Sequence, residues 1–242
     1  MSGICGWNTY QSTQNADLST LQRMASQLTI NKSHLIAKDY HSSCALATVG
    51  VAGSIGLLQR EGVFIAMHGE IRWLDAELAQ TAAQLGTAHA LADAYRWHGA
   101  NFLDKLSGSF ALAIVDNPNH RILIAIDRLG IGSMFYAIRQ EQLIFSSNAR
   151  SIQCHPDVVQ EINPQALFDY LYFHMVPSPR CIFTGVEKLL PGQYLLFEDG
   201  KPSKRFYWQP AFKEATHSNM TRLEDEFRDI LKRSIGRTCD DK

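Results

Sequence analysis

The chain has 242 residues, of which 45% are hydrophobic and 19% charged, a composition typical of a soluble globular protein with one large domain or two small ones. Its 23 basic and 24 acidic residues are spread along the chain and leave a formal net charge of -1. This balance provides no basic surface for nucleic acid or an anionic membrane, so we expect neither partner.

Hydrophobic periodicity predicts strands and helices in the first part of the chain. Strands are predicted over residues 3–10, 44–59 and 62–71, and helical segments over 17–28 and 75–99. The apolar residues of the first helix fall on one face and are Leu18, Leu21, Met24 and Leu28. Gly86 interrupts the second helical segment, which therefore predicts two helices.

Four strand-like segments follow and predict a β-meander over residues 107–148. The segments are 110–116, 121–127, 134–140 and 142–148. The first two flank the turn residues Asn117-Pro118-Asn119, and a tighter turn separates the last two. Connections this short predict antiparallel pairing.

A further helix is predicted over residues 163–174, because Asn163 is a favoured N-cap residue and Pro164 suits the first helical position. Its aromatic residues predict a core face, although the face is broad enough to pack on an additional domain as well. Strands are predicted again within 192–208.

The last predicted helix spans residues 221–237 and has a one-sided apolar face. The residues of this face are Leu223, Phe227, Ile230 and Leu231. A polar stretch near 211–220 separates it from the strand-rich part. We predict one domain over 1–210 and, over 211–242, a linker and first helix leading toward an absent domain.

Cysteine usage favours the reduced thiols of a cytoplasmic protein. The five cysteines are odd in number, widely spaced and without a CxxC pair. The N-terminus lacks the basic and apolar segments of a signal peptide, and no apolar run approaches about 20 residues. His155, His174 and His217 lie far apart in the sequence, so no metal site is predicted.

Several segments resemble, in sequence and order, the N-terminal glutaminase domain of glutamine-dependent asparagine synthetases. These segments are MSGICG, HGEI, NFLDKLSGSFALAIVD, DRLGIGSMFYA, the HPDVVQEINPQALFDYLYF region and GVEKLLPGQYLLFEDGK. The resemblance covers about residues 1–210 and implies a class II glutamine amidotransferase. The implied fold is α+β, an N-terminal-nucleophile-hydrolase-type four-layer αββα sandwich in which two antiparallel sheets pack between helices.

The resemblance places Ser2 at the position of the catalytic nucleophile. Members of the family begin Met-Cys-Gly-Ile, and the cysteine freed by removal of Met attacks the glutamine side-chain amide. Replacing a thiol by a hydroxyl without rebuilding the site removes most of the rate, although some enzymes of this fold do use serine. Cys5 has no free α-amine, and we expect it to be a small buried side chain.

The family's oxyanion hole lies in an Asn-Gly-Glu-Ile turn, which in this chain is His68-Gly69-Glu70-Ile71. The resemblance makes His68 and Gly69 the oxyanion positions and Glu70 a retained substrate-binding position. The Gly69 backbone donor is kept, whereas His68 replaces the Asn amide only if its ring N–H points into the pocket.

Two further substrate-binding positions of the family carry changed side chains, Val49 and Thr87. The family grips the substrate carboxylate with an arginine, but this chain has no arginine between Arg23 and Arg60. Lys32 and Lys38 are the strong cations there, and lysine does not reproduce a bidentate clamp. The acid that binds the substrate ammonium is also missing around Thr87.

The changed nucleophile, oxyanion amide, clamp and ammonium partner together predict a degenerate glutaminase domain. It would serve as scaffold for an ATP-dependent amide-forming synthetase half. We expect no cofactor in this chain, because ATP and Mg²⁺ belong to the absent half. Asp127 and Arg128 form either a catalytic pair or, as we prefer, a strand-end ion pair.

Two alternatives stay open, and with them whether the chain is itself an enzyme. In the first, Ser2 is a working nucleophile that releases ammonia from glutamine or another small amide, which requires removal of Met1. In the second, the chain is an interaction module without chemistry. A homodimer is a further option. The charge-poor segment 45–56 fits an apolar binding site, but its small and β-branched residues favour buried sheet core.

Overall fold

The structure is a computed structural model that describes residues 2–8, 17–29, 35–41, 44–212 and 219–239. The chain divides into two compact units, Met1–Gln209 and Pro210–Lys242. The second unit contains the helix α6 (Met220–Cys239). The apolar residues predicted to share one face of α6 are all exposed and are Leu223, Phe227, Ile230 and Leu231.

The first unit contains two antiparallel sheets of six strands each. The strands of sheet A, in spatial order, are β10 (Glu187–Lys188), β8 (Phe135–Arg139), β9 (Gln142–Ser146), β1 (Gly3–Asn8), β3 (Cys44–Gly50) and β2 (Leu35–His41). The strands of sheet B are β12 (Lys201–Phe206), β11 (Gln193–Glu198), β7 (Arg121–Ile126), β6 (Leu106–Asp116), β5 (Val63–Trp73) and β4 (Ile55–Arg60).

Helices cover the outer faces of the two sheets. The helices of the first unit are α1 (Leu18–Ser26), α2 (Ala76–Leu85), α3 (Thr87–His98), a 3-10 helix (Gly99–Lys105), α4 (Ala149–Ile152) and α5 (Pro164–Phe173). One buried cluster lies between the sheets, a second joins sheet A to α1 and α4, and a third joins sheet B to α2 and α3. The predicted four-layer αββα sandwich is confirmed.

Side-chain caps define where several helices begin. The Asp17 carboxylate accepts from the backbone N–H groups of Ser19 and Thr20 at the start of α1, and the Asn163 side chain caps α5 as predicted. Gly86 separates α2 from α3 and has a φ of 97°, a conformation that glycine adopts readily. Leu18 is half exposed, so it does not share the buried face predicted for α1.

The predicted β-meander is wrong, because its two hairpins belong to different sheets. Strands β6 and β7 pair in sheet B, whereas β8 and β9 pair in sheet A. The chain crosses between the sheets through residues 127–134. Short turns fix the pairing within each hairpin, but nothing in a local pattern requires two successive hairpins to share a sheet.

The crossing is organised by the buried carboxylate of Asp127. It accepts from the backbone N–H groups of Gly132 at 2.6 Å, Leu129 at 3.0 Å, Ile131 at 3.1 Å and Phe110 at 3.3 Å. Arg128 instead donates to the Asp104 carbonyl and lies over the Trp208 ring. The predicted ion pair between Asp127 and Arg128 is therefore wrong, and the two side chains stabilise different contacts.

The aromatic helix α5 is exposed rather than part of the core. Its buried residues are Ala166 and Asp169. The exposed large residues of the helix are Leu167, Phe168, Tyr170, Leu171, Tyr172 and Phe173. The core face predicted from helical spacing is therefore wrong for this unit. Strand β3, in contrast, is buried throughout, as the composition of 45–56 predicts.

Among the described residues, Cys5, Cys44, Cys154 and Cys181 are free thiols. Burial raises the pKa of Cys5 to about 12, which agrees with the small buried side chain expected there. Within the described ranges, no helix combines the length and apolarity needed to cross a membrane.

We expect Asp127→Ala to lower the free energy of unfolding by about 3 kcal/mol or more, since it leaves one buried and three part-buried N–H donors without their acceptor. Urea denaturation measures this change. Asp104→Ala, which removes an exposed carboxylate from the residue whose carbonyl contacts Arg128, is the control and should change stability by about 0.5 kcal/mol at most. A loss below about 1 kcal/mol for Asp127→Ala would contradict the proposed role.

A second prediction concerns His155, whose ring is buried edge-on against Trp7 with centroids 5.0 Å apart. Desolvation lowers its pKa from 6.5 to about 4, so the folded state favours the neutral ring. The neutral ring should contribute its full stabilisation above pH 6.5. This contribution should fall as the pH drops toward 4, because over that range His155 binds a proton in the unfolded chain but not in the folded one. The full loss is about 3 kcal/mol.

Thermal melts between neutral and acidic pH test this linkage. His155→Gln should flatten the acid loss of stability, whereas His98→Gln, which changes an exposed histidine of α3, should retain it. Parallel pH profiles for His155→Gln and the unmodified chain would show that His155 is not the responsible group.

Candidate active site

Ser2 lies directly before β1 and is half-buried. Gly3 pairs with Val49 in β3, so the register puts Ser2 opposite Gly50. A Cβ on Gly3 would lie 2.4 Å from Ser147 Cβ, which explains the glycine. Ile4 N–H donates to Ser147 Oγ at 3.0 Å, and Ser147 N–H donates to the Ile4 carbonyl at 2.8 Å. These contacts fix the backbone that follows the nucleophile position.

The alternation of β1 determines which way Ser2 faces. Ile4 belongs to the cluster between the sheets, whereas Cys5 and Trp7 belong to the cluster that faces α1. Because successive strand residues face opposite sides, Ser2 shares the face of Ile4. Ser2, the predicted nucleophile, therefore lies at the end of the space between the two sheets.

His68 lies in β5 on the same end of the sandwich. It pairs with Ile55 in β4 and Ala111 in β6. A Cβ on Gly50 would come within 3.2 Å of His68 Cδ2, so the imidazole packs on the glycine that the register puts opposite Ser2. The register thus puts Ser2 opposite Gly50, and Gly50 adjoins His68, so the three positions lie at one end of the sandwich.

Gly69 has its backbone N–H engaged within the fold. The N–H donates to the Ser54 carbonyl at 2.8 Å. Its φ is 110°, and a Cβ there would lie 2.2 Å from the Ser109 carbonyl oxygen, so the position requires glycine. An oxyanion donor must be directed at the place where negative charge develops, and this N–H is directed at a carbonyl of the same chain.

The acceptor, Ser54, ends a tight turn that joins β3 to β4. Both its N–H and its hydroxyl bond the Val51 carbonyl, at 3.1 Å and 2.9 Å. This turn therefore holds the Ser54 carbonyl against the N–H of Gly69, the predicted oxyanion position. Its Gly53-Ser54 dipeptide is typical of turns, but the sequence contains no local signal that its carbonyl would meet Gly69.

The predicted substrate-binding positions Glu70, Val49 and Thr87 have different surroundings from one another. Glu70 is exposed and pairs with Arg72 at 3.2 Å. Val49 is fully buried in the cluster that faces α1, so its side chain is directed away from the space between the sheets. Thr87 is the half-buried first residue of α3.

Arg72 and Ser54 are the residues near these positions that the sequence-based prediction missed. Arg72 stands two positions beyond Glu70 in β5, and a strand period of two puts both on one side of the strand. The sequence therefore indicates that Glu70 and Arg72 share a side of the strand, but only the structure shows that their side chains form an ion pair. Of the lysines weighed for the missing clamp, Lys38 is exposed in β2, and Lys32 lies outside the described residues.

The described part of the chain contains no group of three or more His, Cys, Asp or Glu residues arranged to hold a metal ion. His155 and His174 are described and His217 is not. The absence of a cofactor in this chain stays a prediction.

Comparison with known proteins gives the family of the chain. Residues 1–208 match the glutamine amidotransferase domain. Asparagine synthetase (glutamine-hydrolyzing) 1 of Bacillus subtilis (strain 168) is 26% identical over 252 residues, covering 98% of this chain and 40% of the relative. Asparagine synthetase (glutamine-hydrolyzing) 3 of the same strain is 28% identical over 138 residues, covering 55% of this chain and 22% of the relative.

Among solved structures, a glutamine phosphoribosylpyrophosphate amidotransferase from B. subtilis aligns with 86% of this chain and 50% of that chain, at 14% identity and a TM-score of 0.46.

The match to the two synthetases lies in their N-terminal part. The chain thus spans less than half the length of these curated relatives.

The engaged N–H of Gly69 predicts slow exchange of its amide hydrogen. We expect the Gly69 amide to exchange at least about 100-fold more slowly than that of Gly53, which lies in the exposed turn, because exchange requires the bond to Ser54 to open. Two-dimensional NMR in deuterated water measures both amides. Equal rates would show that the Gly69 N–H is available to a ligand.

Proposed function

Because the chain belongs to the glutamine amidotransferase domain family, we propose that it is a glutaminase-type domain that no longer hydrolyses glutamine. Its role is then to support an amide-forming synthetase part of the kind found in asparagine-synthetase-like proteins. The reaction of that part consumes ATP with Mg²⁺, and this domain needs neither.

The observation that carries the proposal is the hydrogen bond from Gly69 N–H to the Ser54 carbonyl at 2.8 Å. Amide hydrolysis passes through a tetrahedral oxyanion, and removal of one donor to it lowers kcat by about 10²–10³. Here the backbone donor is used within the fold, and the neighbouring position holds His68, which packs on Gly50. The nucleophile position combines this loss with a hydroxyl in place of a thiol.

The predicted substrate-binding positions also lack the groups that would hold glutamine. A glutamine substrate needs a cation for its α-carboxylate and an acid for its α-ammonium, both held rigidly. Val49 offers an apolar side chain that is buried toward α1. The Glu70 carboxylate is already paired with Arg72. These arrangements support a scaffold role better than hydrolysis.

The lengths of the relatives support a synthetase partner. Asparagine synthetase (glutamine-hydrolyzing) 1 matches nearly the whole of this chain but extends well beyond the match. We propose that a corresponding synthetase part works with this domain, either in the same polypeptide or as a separate chain. The described cysteines are free thiols, and we propose the cytoplasm as the compartment on that ground.

A second candidate function is hydrolysis of glutamine or another small amide by Ser2 itself. It is favoured by the half-buried position of Ser2 on the face directed between the sheets. This mechanism needs a free α-amine on Ser2 as general base, so Met1 must be removed. An intact mass that includes Met1 would eliminate this candidate.

We expect neither the unmodified chain nor Ser2→Cys to release glutamate from glutamine above background. The reason is that restoring the thiol leaves the Gly69 donor engaged and the substrate without a carboxylate clamp. Coupled glutamate detection measures both proteins, with circular dichroism and intact mass showing that each is folded and has lost Met1.

The matched control is the Ser2→Cys/Cys5→Ser double variant. Glutaminase activity of Ser2→Cys that persists in the double variant would contradict the proposal, because the rest of the pocket would then still bind and activate glutamine. Activity that disappears in the double variant, although circular dichroism shows it folded, would instead show that the activity depends on Cys5.

A further inference from the structure

Helix α5 exposes an unusually large apolar surface. Its exposed fractions are 44% for Leu167, 61% for Phe168, 52% for Tyr170, 68% for Leu171, 71% for Tyr172 and 55% for Phe173. An aromatic side chain has about 150–250 Å² of surface, so the exposed patch amounts to about 600 Å². That value is at the upper end for the largest apolar patch on a monomer, about 300–600 Å².

The exposed residues surround most of the helix. At about 100° per residue, the six side chains cover about 260° of its circumference. Asp169 lies in the remaining sector and Ala166 about 20° beyond its edge, and these two are the buried residues of the helix. A helix that is apolar on nearly all sides is normally buried inside a larger protein. The apolar surface of α5 therefore requires a partner that encloses the helix.

The helix is held rigidly despite its exposure. Asn163 caps its first turn, accepting from the N–H groups of Gln165 at 3.0 Å and Ala166 at 3.2 Å. The Asp169 carboxylate accepts from Gln165 at 2.8 Å and forms an ion pair with Arg180. The one charged residue of α5 is thus neutralised on its inward side. A pre-organised apolar helix loses little conformational entropy when a partner binds.

A groove of about 600 Å³ begins at the N-cap of this helix. Asn163, Pro177, Pro179 and Arg180 line it together with Arg139. Proline rings give apolar walls, and the arginines give a polar margin. Core and margin of this kind are typical of protein interfaces.

We propose that α5 and this groove form the docking surface for the synthetase part with which the domain works. This inference rests on the function proposed above. The part of asparagine synthetase (glutamine-hydrolyzing) 1 beyond its match is long enough to form a body that encloses the helix, since the match covers 40% of that relative. A second copy fits less well, because a helix pair about a two-fold axis covers one stripe of each helix and leaves the opposite side of α5 exposed.

Photo-crosslinking tests the location of the surface. We would replace Phe168 with p-benzoylphenylalanine in the tagged full chain, express it in its source cells and identify crosslinked peptides by mass spectrometry. The expected crosslink joins position 168 to a polypeptide with an ATP-binding synthetase sequence. The matched control carries the same group at Trp97, which is 56% exposed on α3 and should give no such crosslink.

A double substitution tests the contribution of the aromatic rings. Phe168 and Tyr172 stack with centroids 6.4 Å apart. Phe168→Ser/Tyr172→Ser should weaken association with the crosslinked synthetase polypeptide at least tenfold, while Trp97→Ser changes it less than twofold. Because the two rings are exposed, the thermal midpoint of the isolated chain should stay within about 2 °C.

The outcomes separate this inference from the function on which it rests. If a synthetase polypeptide copurifies with the chain but crosslinks at position 97 and not at 168, the docking surface is wrong and the proposed function stands. Crosslinks at 168 to a second copy of the chain alone also overturn the docking surface. If no synthetase polypeptide associates with the chain, both proposals are overturned.

Discussion

The structure depends on the carboxylate of Asp127, which turns the chain from one sheet into the other. Its four backbone hydrogen bonds hold the loop that begins at residue 127 and tie it to Phe110 in β6. The Asp127 carbonyl also accepts from Gly192 N–H at 2.9 Å, at the entry to β11. Ionised acceptors form stronger hydrogen bonds than neutral ones, which suits a junction where three segments of backbone meet. Without this junction the second hairpin would have no fixed route to sheet A.

The arrangement of the two sheets determines which way the side chain of Ser2 faces. Strand β1 lies inside sheet A, between β9 and β3, and its alternation directs Ser2 toward the space between the sheets. In sheet B, β4 pairs with β5, and Gly69 N–H donates to the Ser54 carbonyl just beyond that pairing. On the function proposed above, the architecture is kept while this one backbone hydrogen bond engages a donor that hydrolysis would need.

Most apolar side chains of the sandwich are buried, but those of helix α5 are exposed. Three buried clusters occupy the spaces between the sheets and beneath the helices. Helix α5 stands outside them with its aromatic rings exposed, while its inner side is fixed to the domain through Asp169 and Arg180. The contrast between a rigid attachment and an uncovered apolar surface is what distinguishes a docking helix from a poorly packed one.

The sequence by itself determined the helix starts at Asp17 and Asn163, the break at Gly86 and the pairing within each hairpin. These features depend on residues close together in the chain. The resemblance supplied the αββα architecture and the positions Ser2, His68 and Gly69. Only the tertiary structure decided which sheet each hairpin joins, that Ser54 engages Gly69 and that α5 is exposed. Periodicity reports that a face is apolar but not what covers it, and the partner of a backbone N–H is set by strands that meet only after the chain has folded.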